Sequence, residues 1–266
     1  MKLLNVGMNL ARGTNINTVE IPAELRVKHP TGLPWVDDLL GGGFTPSVSG
    51  FITGDPSCGK STMVRTIADA LTRQGHQVLY NCGEESPYQV KMACERLGLD
   101  AGFVIGEDIF VTDVVAHAKE LQKKCKKGKK VFVFVDSLQC LDDGRFDTGK
   151  TNKATPVNCG KALIEWAKET FGIAIWVHQV TKAGVFVGDN TLKHAVDMTI
   201  HFGFDRDKKS ETYGERVLKK TKDRFGPASD AMVMEMGLGG RLGVKVIEDS
   251  ETSEDDDSDD LQEAAE

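Results

Sequence analysis

The chain has 266 residues, 40% hydrophobic and 27% charged, an ordinary globular make-up with room for one large α/β domain or two small ones. No apolar run approaches the roughly 20 residues of a membrane span, and Met1-Lys2-Leu3-Leu4-Asn5 does not open a signal-peptide core. The six cysteines (58, 82, 94, 125, 140, 159) form no C-x-x-C pair and no zinc spacing, so reduced thiols and a cytoplasmic location are expected. The net charge of −7 is uneven: residues 248–266 hold 11 acidic side chains and no Lys or Arg. The remainder has 29 acidic against 33 basic residues, or +4.

Residues 1–30 show weak periodicity and read as an arm or lead-in. Gly50-Phe51-Ile52-Thr53 reads as a short buried strand. It is followed by Gly54-Asp55-Pro56-Ser57-Cys58-Gly59-Lys60-Ser61, which fits the phosphate-binding pattern G-x-x-x-x-G-K-[ST] throughout. Met63, Val64, Ile67, Ala70 and Leu71 at helical spacing predict a helix over 61–74. Strand, glycine-rich turn and helix aim backbone N–H groups and a helix N-terminus at a polyphosphate. The expected nucleotide-binding residues are therefore Gly54, Asp55, Pro56, Ser57, Cys58, Gly59, Lys60, Ser61 and the adjoining Thr62. Lys60 would reach the terminal phosphates of a nucleoside triphosphate, and the Ser61 hydroxyl would ligate Mg²⁺.

Further along, strands are expected at 77–81, 131–135 and 173–177, and helices at 87–97, 112–125 and 159–171. Strands apolar on both faces and separated by helices imply a parallel sheet covered on both sides. After residue 195 the segments 196–203, 215–221, 230–236 and 242–247 predict closely spaced strands, an antiparallel extension of the same sheet. The fold class is therefore α/β. The division expected is an arm over 1–30, a core over 31–247, and a disordered acidic tail over 248–266.

Val131 to Val135 run into Asp136, the Walker B pattern of an apolar strand ending in a carboxylate beside the phosphate loop, where it would help hold Mg²⁺. Hydrolysis also needs a group to orient or deprotonate water. Glu84 and Glu85 follow the strand at 77–81 and can point into the same crevice, although an acidic pair there also fits a solvated turn. Gln179, just past 173–177, suits either a γ-phosphate sensor or a structural amide. Two polar, glycine-bearing loops could meet nucleic acid: 142–158 with Arg145, Lys150 and Lys153, and 181–194 with Lys182, Phe186 and Lys193. The lysine run 123–130 reads as a solvated helix end remote from the nucleotide, with secondary DNA contact or docking of the tail as the sharper reading. The tail suits either a solubilising role or a functional one, in which it mimics nucleic acid or recruits basic partners, replication or repair proteins among them.

With these pieces placed, the chain resembles the ATPase core of the bacterial RadA (Sms) recombination proteins, within the RecA-like superfamily of P-loop NTPases. The matching segments run in order. Thr31-Gly32-Leu33-Pro34-Trp35-Val36-Asp37-Asp38-Leu39-Leu40-Gly41-Gly42-Gly43 leads into the P-loop. Gly83-Glu84-Glu85-Ser86, Gln89-Val90-Lys91 and Glu95-Arg96-Leu97-Gly98-Leu99 follow. Next come Val135-Asp136-Ser137-Leu138-Gln139, Val180-Thr181-Lys182-Ala183-Gly184 and His194-Ala195-Val196-Asp197. Last is Lys222-Asp223-Arg224-Phe225-Gly226, close to the Lys-Asn-Arg-Phe-Gly signature of that family.

The resemblance implies that Glu84 is the catalytic glutamate with Glu85 its neighbour. It implies that Lys222 and Arg224 are basic fingers acting on a neighbouring subunit's γ-phosphate, and that the two loops bind DNA. It also implies a homo-oligomer, ring or filament, that couples ATP hydrolysis to single-stranded DNA in recombination or repair. A replicative ring helicase and a KaiC-like switch without DNA are the rivals. There are departures. No four-cysteine module precedes the core, and nothing after residue 247 could form the Lon-like domain, so a minimal core is expected, of a kind that would suit a phage-encoded protein. Gln179 stands where RadA has histidine. Asp223 replaces the signature Asn and is expected to put an opposite charge between the two fingers.

Overall fold

A computed structural model describes residues 13–146, 152–178, 190–226, 229 and 231–245. Alternation along the strands builds two cores, one on each face of a single sheet. In β4 (Val131–Asp136) every residue is buried. Val131, Val133 and Val135 enter one core while Phe132 and Phe134 enter the other, because successive strand side chains point to opposite faces. The aromatic face is covered by α1 (Pro34–Leu40), α2 (Lys60–Arg73) and α3 (Pro87–Leu97). The opposite face, which takes Val131, Val133 and Val135 together with Phe51 and Trp176, is covered by α4 (Val111–Lys124), α5 (Thr155–Thr170) and Leu192 of α6 (Asn190–Ala195). Each large apolar side chain buried this way contributes about 1.5–3 kcal/mol, and Trp166, Trp176, Phe51, Phe132 and Phe134 are all fully buried.

The other strands are β1 (Ser49–Thr53), β2 (Gln77–Cys82), β3 (Val104–Gly106), β5 (Ile173–Val177), β6 (Met198–Phe204), β7 (Arg216–Asp223), β8 (Met232–Met236) and β9 (Leu242–Val244). Their order is β3-β2-β4-β5-β1-β6-β7-β8-β9. Pairing is parallel from β3 through β6 and antiparallel from β6 to β9. The fold is thus α/β, a mainly parallel sheet with helices on both faces and an antiparallel C-terminal extension. The C-terminal ends of β1, β2, β4 and β5 meet along one edge, where open α/β sheets place their ligands.

Several bounds differ from the sequence expectation. The strand β3 is a three-residue edge strand, too short to show a period. The helix α5 starts at Thr155, four residues before the expected start, because the Asn152 carboxamide accepts the N–H groups of Ala154 (2.8 Å) and Thr155 (3.1 Å) and Pro156 fits a first turn. The helix α3 begins as a capping box of Ser86 and Gln89 with Pro87 at its first position. In the lysine run, Lys123 and Lys124 sit exposed in the last turn of α4. Lys130 is instead buried, donating to Glu24 at 2.5 Å and lying over the Phe171 ring. Residues 13–30 hold two short 3-10 turns, and Lys28 caps the end of α1 through the carbonyls of Leu40 and Gly41.

Candidate nucleotide site and finger strand

The P-loop joins β1 to α2. Gly54 has φ 146° and a Cβ there would lie 1.6 Å from the Phe202 carbonyl oxygen, so the chain can pass this close to β6 only as glycine. Two loop side chains fasten it down. The Cys58 thiol is fully buried and donates to the Phe202 carbonyl at 2.8 Å. The Asp55 carboxylate accepts the Phe204 N–H at 2.8 Å and Arg206 Nη2 at 2.9 Å. These two side chains therefore anchor the loop to β6, and what they can offer a phosphate is their backbone. Lys60 Nζ donates to the carbonyls of Gly54 (3.0 Å) and Asp55 (2.6 Å), which holds its charge over the loop. Lys60, Ser61 and Thr62 form the first turn of α2, whose N-terminal dipole faces the same space.

A cleft of about 670 Å³ opens there. Gly54, Pro56, Ser57, Gly59, Lys60, Ser61 and Thr62 line one side, with Glu84, Glu85 and Asp136 beyond them. Every acidic candidate taken from the sequence is thus beside the P-loop. Asp136 is buried at the end of β4, and its Oδ2 accepts the Tyr80 hydroxyl at 2.8 Å. Glu84 accepts from Ser137 Oγ, and Glu85 pairs with Arg65. Burial, and after it the Asp136 charge, pushes the Tyr80 phenol well above its ordinary pKa. Burial works against the Arg65 charge, but Tyr80 and Glu85 outweigh it and the guanidinium pKa is raised. Ser61 and Asp136 offer hydroxyl and carboxylate oxygens, a set that fits a hard cation completing its shell with water and phosphate.

Arg65, Tyr80 and Met236 belong to this region but to no motif, and Arg96 and Ser137, which stand in segments matching the family, were given no role there. Arg96, at the end of α3, and Met236, at the end of β8, close the far side of the cleft. The one available signal was Arg65 a helical turn after Ser61, which puts both on one helix face.

Lys222 and Arg224 lie at the other end of the sheet. Lys222 Nζ donates to the carbonyls of Val196 (2.7 Å), Lys193 (3.0 Å) and His194 (3.2 Å). Arg224 donates to His194 O (2.8 Å) and Asp197 Oδ1 (3.0 Å). Both cations thereby cap the carbonyl end of α6. Burial, and then the Arg224 charge, lowers the Lys222 pKa. Asp223 does not stand between them as expected. A β-bulge opposite Thr199 and Ile200 shifts the register of β7, so Asp223 turns to the buried Lys220, 2.7 Å away, while Lys222 and Arg224 face α6.

Of the expected DNA-binding residues, Arg145, Lys153 and Lys193 are exposed. Lys150, Lys182 and Phe186 lie outside the described residues, as do the candidate sensor Gln179 and the acidic tail.

Fold and cleft together define a P-loop nucleotide-binding protein of the RecA-like α/β class. A family profile described as "ATPase: KaiC" matches residues 29–251, and the chain belongs to that family of ATPases. It is also similar to DNA repair protein RadA of Brucella abortus, 31% identical over 211 residues (79% of this chain, 44% of the relative). RadA of Streptococcus pneumoniae is 31% identical over 239 residues (89% and 52%). The chain spans about half the length of these curated relatives, or less. Among solved structures, a DnaB-like replicative helicase superposes with TM-score 0.68 at 16% identity, covering 80% of this chain and 61% of the other. A KaiC-like protein from Pyrococcus horikoshii OT3 gives 0.62, also at 16% identity, covering 83% and 99%. These superpositions speak to fold alone. The chain is a RadA/RecA-like ATPase.

Proposed function

We propose that this protein works as a homo-oligomer that hydrolyses ATP at subunit interfaces and couples hydrolysis to single-stranded DNA in recombination or repair. The observation that carries the reading is the separation of the fingers from their own cleft. Lys222 pairs with Thr199 and its ammonium reaches back to Val196, whereas the P-loop packs on Phe202 to Phe204. At about 3.3 Å per strand residue the two are on the order of 15 Å apart. Two cations so placed cannot serve their own γ-phosphate, and a neighbouring copy is the natural recipient. The RadA relatives, named for DNA repair, support the process assigned.

In this reading Lys60 and the P-loop N–H groups bind the phosphates, and Ser61 and Asp136 would hold Mg²⁺. A metal held there would neutralise charge developing on the phosphates. Glu84 accepts the proton of the attacking water. Lys222 and Arg224 of the next copy stabilise charge developing on the transferred phosphoryl group. Arg145, Lys153 and Lys193, with Lys150, Lys182 and Phe186, take the DNA backbone and bases. Residues 31–247 form the working core, 1–30 its lead-in and 248–266 an acidic appendage.

The test is steady-state ATP hydrolysis with and without single-stranded DNA, where a several-fold rise is expected. The family match over residues 29–251 also favours a second reading, an ATP-driven switch that needs no DNA. Hydrolysis indifferent to DNA, with no retention of DNA by the protein, selects that reading.

A further inference from the structure

Beside the cleft runs a hydrogen-bonded chain that the motifs do not contain. Arg65 is almost wholly buried, with 5% of its side chain exposed, and its guanidinium forks. Nη2 donates to the Glu85 carboxylate, and Nε donates to the Tyr80 hydroxyl at 3.2 Å. That hydroxyl donates in turn to Asp136 Oδ2 at 2.8 Å. Glu84 is held differently, by the Oγ of Ser137, the residue after Asp136. Ser61, Arg65, Tyr80, Glu84, Glu85 and Asp136 together enclose a recess of about 10 Å³, the scale of one water-sized probe.

Burying a guanidinium and a phenol is unfavourable unless both are bonded. Tyr80 shares its core with Val78 and Cys82 of the same strand, and a phenylalanine would fill that core without burying a hydroxyl. The hydroxyl adds nothing to that packing, and the atoms it does engage are Arg65 and the carboxylate assigned to Mg²⁺.

We propose that Arg65 and Tyr80 are positioning residues for ATP hydrolysis, the phenol fixing the rotamer of Asp136 and the guanidinium tying Glu85 down as an ion-pair anchor, so that Glu84 alone acts on water. This rests on reading the cleft as an ATPase site. It gives a physical reason for the different roles of two adjacent glutamates, and it makes α2 the element that sets the distance between the metal carboxylate and the Glu84–Glu85 turn.

The experiment compares the whole chain with Tyr80→Phe. A fluorescent ATP analogue is titrated with and without Mg²⁺, the electron paramagnetic resonance of Mn²⁺ in the nucleotide complex is recorded, and hydrolysis is measured. In Tyr80→Phe, analogue affinity without divalent cation should stay within about two-fold of wild type. The Mg²⁺ needed for half-maximal effect should rise, the Mn²⁺ spectrum should change, and kcat should fall, the first and last by roughly tenfold as for other outer-shell partners of a metal. A Mg²⁺ requirement and kcat both unchanged would overturn the proposal. If Tyr80→Phe does not fold, Glu85→Gln takes its place, since its amide oxygen can still accept from Arg65 Nη2 and Glu85 is 38% exposed. It should lose less than about tenfold in kcat, against about a hundredfold for Glu84→Gln, and equal losses overturn the division of roles. A wild-type chain that binds no analogue with Mg²⁺ and hydrolyses no ATP refutes the ATPase reading itself, whereas an active wild type with a silent Tyr80→Phe refutes only this inference.

Discussion

Single side chains in this protein do work that their sequence neighbours do not announce. His29 and His76 are buried edge to face, their ring centroids 5.1 Å apart, under Lys130 at the end of the sheet away from the cleft. Burial holds both imidazoles at a pKa of about 4, helped by the Lys130 charge for His29 and by the His29 ring for His76. The unfolded chain takes up these protons near pH 6.5 and the folded chain only near 4. Stability from the pair is therefore complete above about pH 6.5 and drains away as pH falls toward 4, by an amount of the order of a few kcal/mol. Urea melts at pH 7.5, 6 and 5 should show this decline. It should be shallower in His29→Phe, because His29 Nε2 is buried with no hydrogen-bond partner among the described residues. A decline of equal steepness in the variant would mean that carboxylates elsewhere set it. At this scale the motif residues Lys60, Ser61, Asp136 and Glu84 were legible, since their chemistry requires fixed spacing. Arg65 and Tyr80 were not, because 15 residues separate them in the chain and only the packing of α2 on β2 makes them a pair.

Among the elements, β7 and α6 are the most informative. The bulge in β7 sends Lys222 and Arg224 toward α6 and Asp223 toward Lys220. Strand alternation without the bulge would place Lys220 and Asp223 on opposite faces. The finger assignment makes a specific demand on Lys222→Ala. Hydrolysis should be abolished, while ATP affinity, measured with a fluorescent analogue, should stay within about two-fold of wild type because the cleft is about 15 Å away. Loss of both together would show that the lysine matters through the α6 cap and not through a neighbour's phosphate. Long periodic elements such as α2, α3, β2 and β5 were readable to within a residue or so. The strand β3 and the first turn of α5 were not, since the former is held only by its place beside β2 and the latter follows a turn fixed by the Asn152 side chain.

For the molecule as a whole, the separation of cleft and fingers makes oligomerisation a catalytic requirement in the proposed function. A sharp consequence follows for mixtures. Lys60→Ala keeps its fingers and Lys222→Ala keeps its P-loop, so each variant alone should be inactive. Mixed in equal amounts, they should regain a measurable fraction of wild-type hydrolysis, because some interfaces then join an intact cleft to intact fingers. Mixtures that stay as inactive as their components would rule out a shared site. Dilution of wild type through its assembly range should lower specific activity for the same reason.

The sequence by itself determined that a phosphate-loop motif sits between one strand and one helix, that a parallel sheet with two covered faces carries it, and that a second basic element lies downstream. Glycine spacing, strand-end carboxylates and apolar runs are local patterns dictated by backbone geometry, and local patterns survive in a one-dimensional string. Only the tertiary structure decided what each charge faces. It turned Asp55 and Cys58 into anchors, moved Asp223 away from Lys222 and Arg224 to a buried lysine, linked Arg65 through Tyr80 to Asp136, and put the Lys222–Arg224 pair at the far end of the sheet. Those outcomes depend on strand order, on one bulge and on which groups are buried together, and distant parts of the chain fix all three at once.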